Sequence, residues 1–300
     1  MDFRTALQAA GLRPRDIVPD GRWRRCETDD KPGRKNGAYI LYPWGVGYYR
    51  NRAVDGTENH KWADGSATNH EPSAAHLEQM RKRRDQERAD RIKAVYRARE
   101  QWKAARPCRA LHPYLERKGL SALGTVGLRE LDGWLVVPVL WRGRVISVQR
   151  IDADGTKRFA VGAPVKGGHY AITRERAALT VVCEGLATGL AIYQCVRNAT
   201  VIVAFDAGNL LPVVQELKPH GNVILAADND AGTMARRGFN PGIDKAKNAA
   251  DLIGAGVAWP EGIDGTDFAD MLKELGPTGA RRIERLILGA SKYVPREVPA

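Results

Sequence analysis

The chain has 300 residues, 43% of them hydrophobic, and its 47 lysines and arginines outnumber 35 aspartates and glutamates, for a formal charge of +12. That apolar share excludes wholesale disorder, and the length admits more than one domain. So large a positive surplus calls for a polyanionic partner, with nucleic acid ahead of an anionic membrane. No apolar run reaches the ~20 residues of a bilayer-spanning helix. Met1-Asp2-Phe3-Arg4 lacks the apolar core of a secretory signal, so a cytoplasmic protein without membrane partners is expected. Cys26, Cys108, Cys183 and Cys195 are scattered with no C-x-x-C pair, so no zinc ribbon is expected.

Phe3 to Leu12 reads as a short helix closed by Gly11. Gly21 to Ala63 has the texture of short aromatic strands between Gly, Asp and Asn turns, with Trp23, Tyr39, Tyr48, Tyr49 and Trp62 interleaved with arginines and lysines. Half of these aromatics are expected in the core of a small antiparallel sheet. The others, on a basic surface, suit the stacking of single-stranded bases. Glu71 to Arg106 is dense in Arg, Glu and Ala with a thin apolar face, and reads as an exposed connecting helix. His112 to Gly119 suggests a short helix closed by glycine. Trp134–Leu140 and Arg144–Arg150 read as two strands joined at Arg142-Gly143, and Asp152 to Gly155 as a turn into Thr156-Lys157-Arg158-Phe159.

From Leu179 onward, three β-branched runs alternate with helical stretches, the pattern of a parallel sheet covered on both faces. Leu179–Cys183 ends in Glu184-Gly185, Thr200–Phe205 in Asp206-Ala207-Gly208, and Asn222–Ala227 in Asp228-Asn229-Asp230-Ala231-Gly232. Ligands of such sheets bind beyond the carboxyl ends of the strands, so Glu184, Asp228 and Asp230 are expected on one rim. Carboxylates at i and i+2 past a strand end can converge on one hard cation. Asp206 alone reads as a turn residue. Arg236 to Gly242 is a basic, glycine-rich loop that either contacts a triphosphate or turns the chain. A helix over Lys245–Ile253, a last strand at Val257–Pro260, a helix through Leu275 closed by Gly276, and an amphipathic helix from Thr278 to Leu288 complete the chain.

Glu184-Gly185 followed by Asp228-Asn229-Asp230 with Gly232 resembles the signature of the Toprim domain, the catalytic fold of DnaG-type primases, topoisomerases and OLD-type nucleases. Asp206-Ala207-Gly208-Asn209, Asn240-Pro241-Gly242, Thr266-Asp267-Phe268 and, upstream, His112-Pro113-Tyr114-Leu115 are similar to the TraC-like Toprim primases of plasmids and phages. The resemblance implies an α/β fold: a Toprim-type parallel sheet flanked by helices, preceded by a mixed α+β primase lobe and a small β-rich N-terminal module. The expected divisions are 1–70, 71–106, 107–178, 179–277 and 278–300. It further implies a nucleotidyltransferase that makes short RNA primers on single-stranded DNA for plasmid or phage replication.

In that reading Glu184, Asp228 and Asp230 are catalytic. They hold Mg²⁺ or Mn²⁺, two or more ions, together with Asp267 and Asp270. Arg144, Arg150, Lys157, Arg158, Lys166, Asn209, Arg236 and Arg237 face nucleic acid and nucleotide. The expected partners are the DNA template, ribonucleoside triphosphates and a separate replicative helicase, since the chain has no Walker A motif. A Toprim nuclease and a non-catalytic single-strand-binding replication factor are the alternatives. A topoisomerase fits less well, because no domain presenting a nucleophilic tyrosine is recognisable.

Overall fold

The computed structural model describes residues 1–52, 54–55, 58–64, 74–108, 111–120 and 127–290, apart from the side chains of His76, Arg236 and Arg237. The chain divides into two compact units, residues 1–85 and 86–300.

In the first unit, α1 (Phe3–Ala9) starts at Asp2, whose carboxylate accepts the Thr5 N–H at 2.7 Å. An N-cap of this kind satisfies one of the N–H groups left unpaired at the helix start. Strands β1 (Leu12–Arg13), β2 (Arg24–Thr28), β3 (Gly37–Leu41), β4 (Val46–Asn51) and β5 (His60–Ala63) form an antiparallel sheet in that order. Period-2 alternation sends Cys26, Tyr39, Tyr49 and Trp62 to one face. There they pack with Phe3, Leu7 and Leu12. Trp23 is left 47% exposed. The aromatics thus divide between core and surface. Helix α2 (Ala74–Ala104) follows.

In the second unit, β6 (Arg106–Pro107) is followed by α3 (Pro113–Arg117), with His112 as its N-cap and Pro113 in its first turn. Strands β7 (Arg129–Leu131), β8 (Trp134–Trp141), β9 (Arg144–Ile151) and β10 (Lys157–Phe159) complete an antiparallel meander of order β10-β9-β8-β7-β6. One face of the meander buries Val136 and Val148 against Ala98, Trp102 and Ala105 of the α2 stretch. The other buries Leu135, Val137, Val139 and Ile151 in the core shared with the next sheet.

That sheet is built from β11 (Tyr170–Ile172), β12 (Leu179–Cys183), β13 (Ala199–Val203), β14 (Val223–Ala226) and β15 (Gly256–Ala258), in the order β11-β13-β12-β14-β15. β11 is antiparallel to β13, and the other pairings are parallel. The helices are α4 (Leu186–Cys195), α5 (Leu210–Leu217), α6 (Ala231–Arg237), α7 (Pro241–Asp251) and α8 (Phe268–Gly289). Val181, Cys183, Val201 and Val203 point to α4 and α8; Val182, Ile202 and Leu225 point to α5 and α7. This two-sided burial is why the strands read as continuous apolar runs. The end of α8 is set off by Gly276, in a non-helical conformation (φ 53°, ψ −130°), and Pro277. A kink there suits both the permissive glycine and the helix-breaking proline.

Among the described residues no helix is long and apolar enough to cross a membrane.

Candidate active site

Three neighbouring parallel strands end level. Cys183 pairs with Val203 on one side and Ala226 on the other, so Glu184, Asp206 and Asp228 emerge on the same rim. Thr266 joins them, because its carbonyl accepts the Asn229 N–H at 2.7 Å and brings the Asp267 turn against the Asp228-Asn229-Asp230 loop. Phe205, between β13 and Asp206, holds φ at +74°. A left-handed phenylalanine costs about 1–3 kcal/mol. Its ring is buried and meets Phe159 edge to face at 5.8 Å, which compensates part of that strain.

The rim is electrostatically strained as well. Burial, and then the neighbouring charges of Glu184 and Asp267, push the Asp228 carboxyl up to about 8. Burial, with Asp230 and Asp206 beside it, also raises Glu184, although its bond with Ala207 and the Lys245 ammonium oppose the rise. Thr188, one turn along α4 from Glu184 and 1% exposed, donates to Asp228 Oδ1 at 3.1 Å. Lys157 reaches across from β10: a Cβ built on Gly185 would stand 3.9 Å from its Nζ. A carboxyl held so far above its ordinary value marks a place where positive charge is short.

The loop of Asp228 and Asp230 is clamped by Asn240. Its Oδ1 accepts the Asp230 N–H and, as N-cap of α7, the Ile243 N–H, both at 3.3 Å, while its Nδ2 donates to Asn229 Oδ1 at 2.9 Å. Pro241 takes the first helical turn, where its missing N–H is no loss. Gly242 lets the helix start run against the loop, because a Cβ there would come within 3.0 Å of the Asp228 carbonyl oxygen. α7 therefore starts at Pro241, four residues before the helix expected at Lys245. Asn-Pro followed by a small residue is a helix-start signal that was available in the sequence.

Asp267 and Asp270 are already engaged. Lys118, just after α3, places Nζ 3.1 Å from Asp267 Oδ2 and 2.8 Å from Asp270 Oδ1. Asp267 is also the N-cap of α8, accepting the Asp270 N–H at 2.7 Å. Against the cost of burial, the bonds from Lys118 and the Thr266 N–H hold Asp270 below the usual carboxylate value. The same acids hold the Lys118 ammonium above its own, again against burial.

The expected basic residues are not brought to one place. Lys157 pairs with Ile151 and shares the face toward the carboxylates. Arg158, one residue on, pairs with Arg150 on the opposite face of the meander. There Arg150 and Arg158 lie 5.3 and 5.8 Å from the Trp134 ring centroid. Arg144 sits at the other end of β9, ~23 Å from Ile151 at ~3.3 Å per residue. Asn209 is 4% exposed and spent internally: Oδ1 accepts the Gly167 N–H at 2.8 Å, and Nδ2 donates to the carbonyls of Gly168 and Ala204 at 2.9 and 2.8 Å. With its amide engaged in this way, Asn209 ties the loop of exposed Lys166 to the turn after β13. Arg236 and Arg237 end α6, and their side chains lie outside the described residues. The expected set omitted Lys118, Thr188, Asn240 and Lys245.

Among the described residues no three His, Cys, Asp or Glu side chains stand close enough to cage an ion. A Mg²⁺-type ion needs no such cage, since it binds one or two carboxylates and keeps waters in its other positions. The raised Asp228 carboxyl, with Asp230 two residues on and Glu184 beside it, fits that requirement.

Residues 179–278, which carry the carboxylate rim, match the sequence model of the Toprim domain. Over 86% of its length the chain is 31% identical to the DNA primase TraC of Escherichia coli, of which the match covers 26%. A second Escherichia coli DNA primase TraC is 35% identical over 49% of the chain and 11% of that relative. The chain thus spans about a quarter or less of the length of the curated relatives it matches. Among solved structures, the Aquifex aeolicus primase (zinc-binding and RNA polymerase domains) is similar at 14% identity and a TM-score of 0.42, over 98% of this chain and 84% of that one.

Proposed function

We propose that the chain is a DNA primase, a nucleotidyltransferase that joins ribonucleotides into short primers along single-stranded DNA. The observation that carries the reading is the convergence of Glu184, Asp228 and Asp230 on one strand-end rim of a Toprim domain, with an Asp228 carboxyl held near 8 by burial and like charge. Similarity to one TraC primase over 86% of the chain, and to a second over 49%, supports it. The reacting partners are a primer 3′-hydroxyl and an incoming ribonucleoside triphosphate. Glu184, raised by its surroundings, is suited to take the hydroxyl proton on its carboxylate. Lys157 and Lys245 flank the rim and present ammonium groups to phosphate oxygens, and the Lys166 loop, tied down by Asn209, adds a third. Thr188 and Asn240 hold Asp228 and Asp230 in position.

Asp228, Asp230 and Glu184 would hold Mg²⁺ or Mn²⁺, with Asp267 and Asp270 behind them once Lys118 is displaced. When bound, such ions neutralise the charge that builds up during phosphoryl transfer. Single-stranded DNA, ribonucleoside triphosphates and a separate helicase are the partners this reading implies, in the cytoplasm of a plasmid or phage host.

The test is direct. The protein is incubated with single-stranded DNA, labelled ribonucleotides and Mg²⁺ or Mn²⁺. Short templated products are expected from the wild type and none from Asp228→Ala or Asp230→Ala. Degradation of DNA in the absence of nucleotides, lost in Glu184→Gln, would instead make the chain a Toprim nuclease.

A further inference from the structure

The first unit carries a surface that the proposed chemistry does not use. At the edge of β2, where β1 has ended and Pro14 to Asp16 pass alongside, lies a cavity of about 420 Å³. Arg13, Arg15, Arg24, Arg25 and Lys35 line it, opposed only by Asp16 and Glu27 among the acids. Arg13 is paired with Asp29 and Arg24 with Asp20. Arg15, Arg25 and Lys35 make no ion pair among the described residues.

The positive charge runs on from the cavity across the sheet. Arg25 stands opposite Ala38, and Ala38 opposite Arg50, so two arginines flank one alanine on the same face, two strand spacings or ~9.5 Å apart. Arg25 is exposed, and slight desolvation together with the like charges of Arg52 and Arg50 weakens its hold on its own proton. Arg50 stacks on Trp23, 5.2 Å from the ring centroid, and Trp23 is 47% exposed. Two residues further along the same face, Tyr48 stands opposite Lys61. The other face of the sheet is the apolar core around Phe3. Like charges set this close destabilise the free protein and call for a polyanion, and exposed rings among them suit bases.

We infer that the cleft of Arg15, Arg25 and Lys35, with the Trp23–Arg50–Arg52 strip beside it, is a binding site for single-stranded nucleic acid. Phosphates lie along the guanidiniums and one base stacks on Trp23. The inference extends the primase reading to the template, but binding here needs neither metal nor nucleotides. A protein that fails to make primers can therefore still pass this test.

The full chain is titrated with a fluorescent oligothymidylate, by anisotropy, at several salt concentrations in EDTA. Arg25→Ala/Arg52→Ala should weaken binding several-fold and make the log–log salt slope shallower by about 0.7 for each phosphate that is no longer neutralised. Trp23→Ala should weaken it by about ten-fold with the slope unchanged. Arg4→Ala, on the exposed side of α1, serves as the control. An oligonucleotide carrying 5-bromodeoxyuridine, photo-crosslinked to the unmodified protein, should leave its adduct on Trp23, which tests the site without relying on any variant. Unchanged affinity and slope in both variants, or adducts confined to residues 86–290, would overturn the inference. So would an inorganic triphosphate that binds wild type but not Arg25→Ala/Arg52→Ala while oligothymidylate binds both alike, which would make the cleft a nucleotide pocket.

Discussion

Gly242→Ala puts the geometry of the carboxylate loop to a test in which two effects of opposite sign compete. Alanine is the better helix former, by up to ~1 kcal/mol, so at an unconstrained position in α7 the change stabilises. At Gly242 the new methyl would come within 3.0 Å of the Asp228 carbonyl oxygen and 3.6 Å of Asp230 Oδ2. Ordinary contact begins near 3.4 Å, so the loop or the helix start must retreat by about half an ångström or more. Overpacking of this kind costs ~1–3 kcal/mol, which outweighs the propensity gain. In a unit of this size each kcal/mol moves Tm by ~2–4 °C, so a fall of several degrees is expected. The functional loss should be larger than the stability loss, because a shift of ~1 Å in a positioned group can cost about 10²-fold in rate. Differential scanning fluorimetry reads the first effect and primer synthesis at saturating nucleotide the second, with oligothymidylate affinity as the control. A variant that melts at or above the wild-type temperature and makes wild-type primer yields would refute the close approach.

Asp228→Asn should change the pH dependence of stability. The folded carboxyl, at about 8, keeps its proton where the unfolded one, near 3.8, has lost it, so the metal-free wild type loses stability as pH rises through that window. The variant should show a flatter curve and higher stability at pH 8 in urea melts with EDTA; parallel curves would remove the burial argument. Lys118→Met should destabilise by ~1–3 kcal/mol, since it leaves Asp267 and Asp270, with side chains 14% and 27% exposed, without their shared cation. Because Asp270 is held below its usual value, its part of that stabilisation is present above the unfolded carboxylate range and fades as pH falls through the folded one. The gap between variant and wild type should therefore narrow in acid, and a constant gap from pH 7 to pH 3 would count against the ion pair.

The sequence was most legible where one local rule was enough. Val181 and Cys183 face one layer of helices and Val182 the other, so the run from Leu179 reads as a strand whatever surrounds it. Glu184 and Asp228 follow such runs directly, and parallel pairing then brings them to one rim. Legibility failed where the partner is distant or the element short. Lys118 meets Asp267 across 149 residues, and no periodicity connects them. β11 has three residues and pairs with β13 only because the sheet edge is open there. The bonds of Asn209 to the Gly167 and Gly168 backbone could not be read either, because that backbone comes near only after folding. Asn240-Pro241-Gly242 was legible as a helix start but read as a loop, because the neighbouring arginines and glycines dominate its composition.

The basic residues of the meander show how strand geometry divides a charge cluster that looks single in the sequence. Lys157 and Arg158 are adjacent, yet the period-2 alternation of β10 sends one toward the carboxylates and the other to Arg150 and Trp134 behind the sheet. The two faces ask for different ligands. Lys157 helps to offset Asp228, whose carboxyl it acts to lower, so its charge is already committed to the rim and to whatever phosphate arrives there. Arg150 and Arg158 make no ion pair among the described residues and lie over the indole of Trp134, the pairing of cation and ring that suits a stacked base and its phosphate. Glu184 and Asp228 are both raised at the rim, so the ammonium groups near them, Lys245 and Lys157, only partly offset their charge. That shortfall of positive charge at the rim is what the proposed divalent cations would supply.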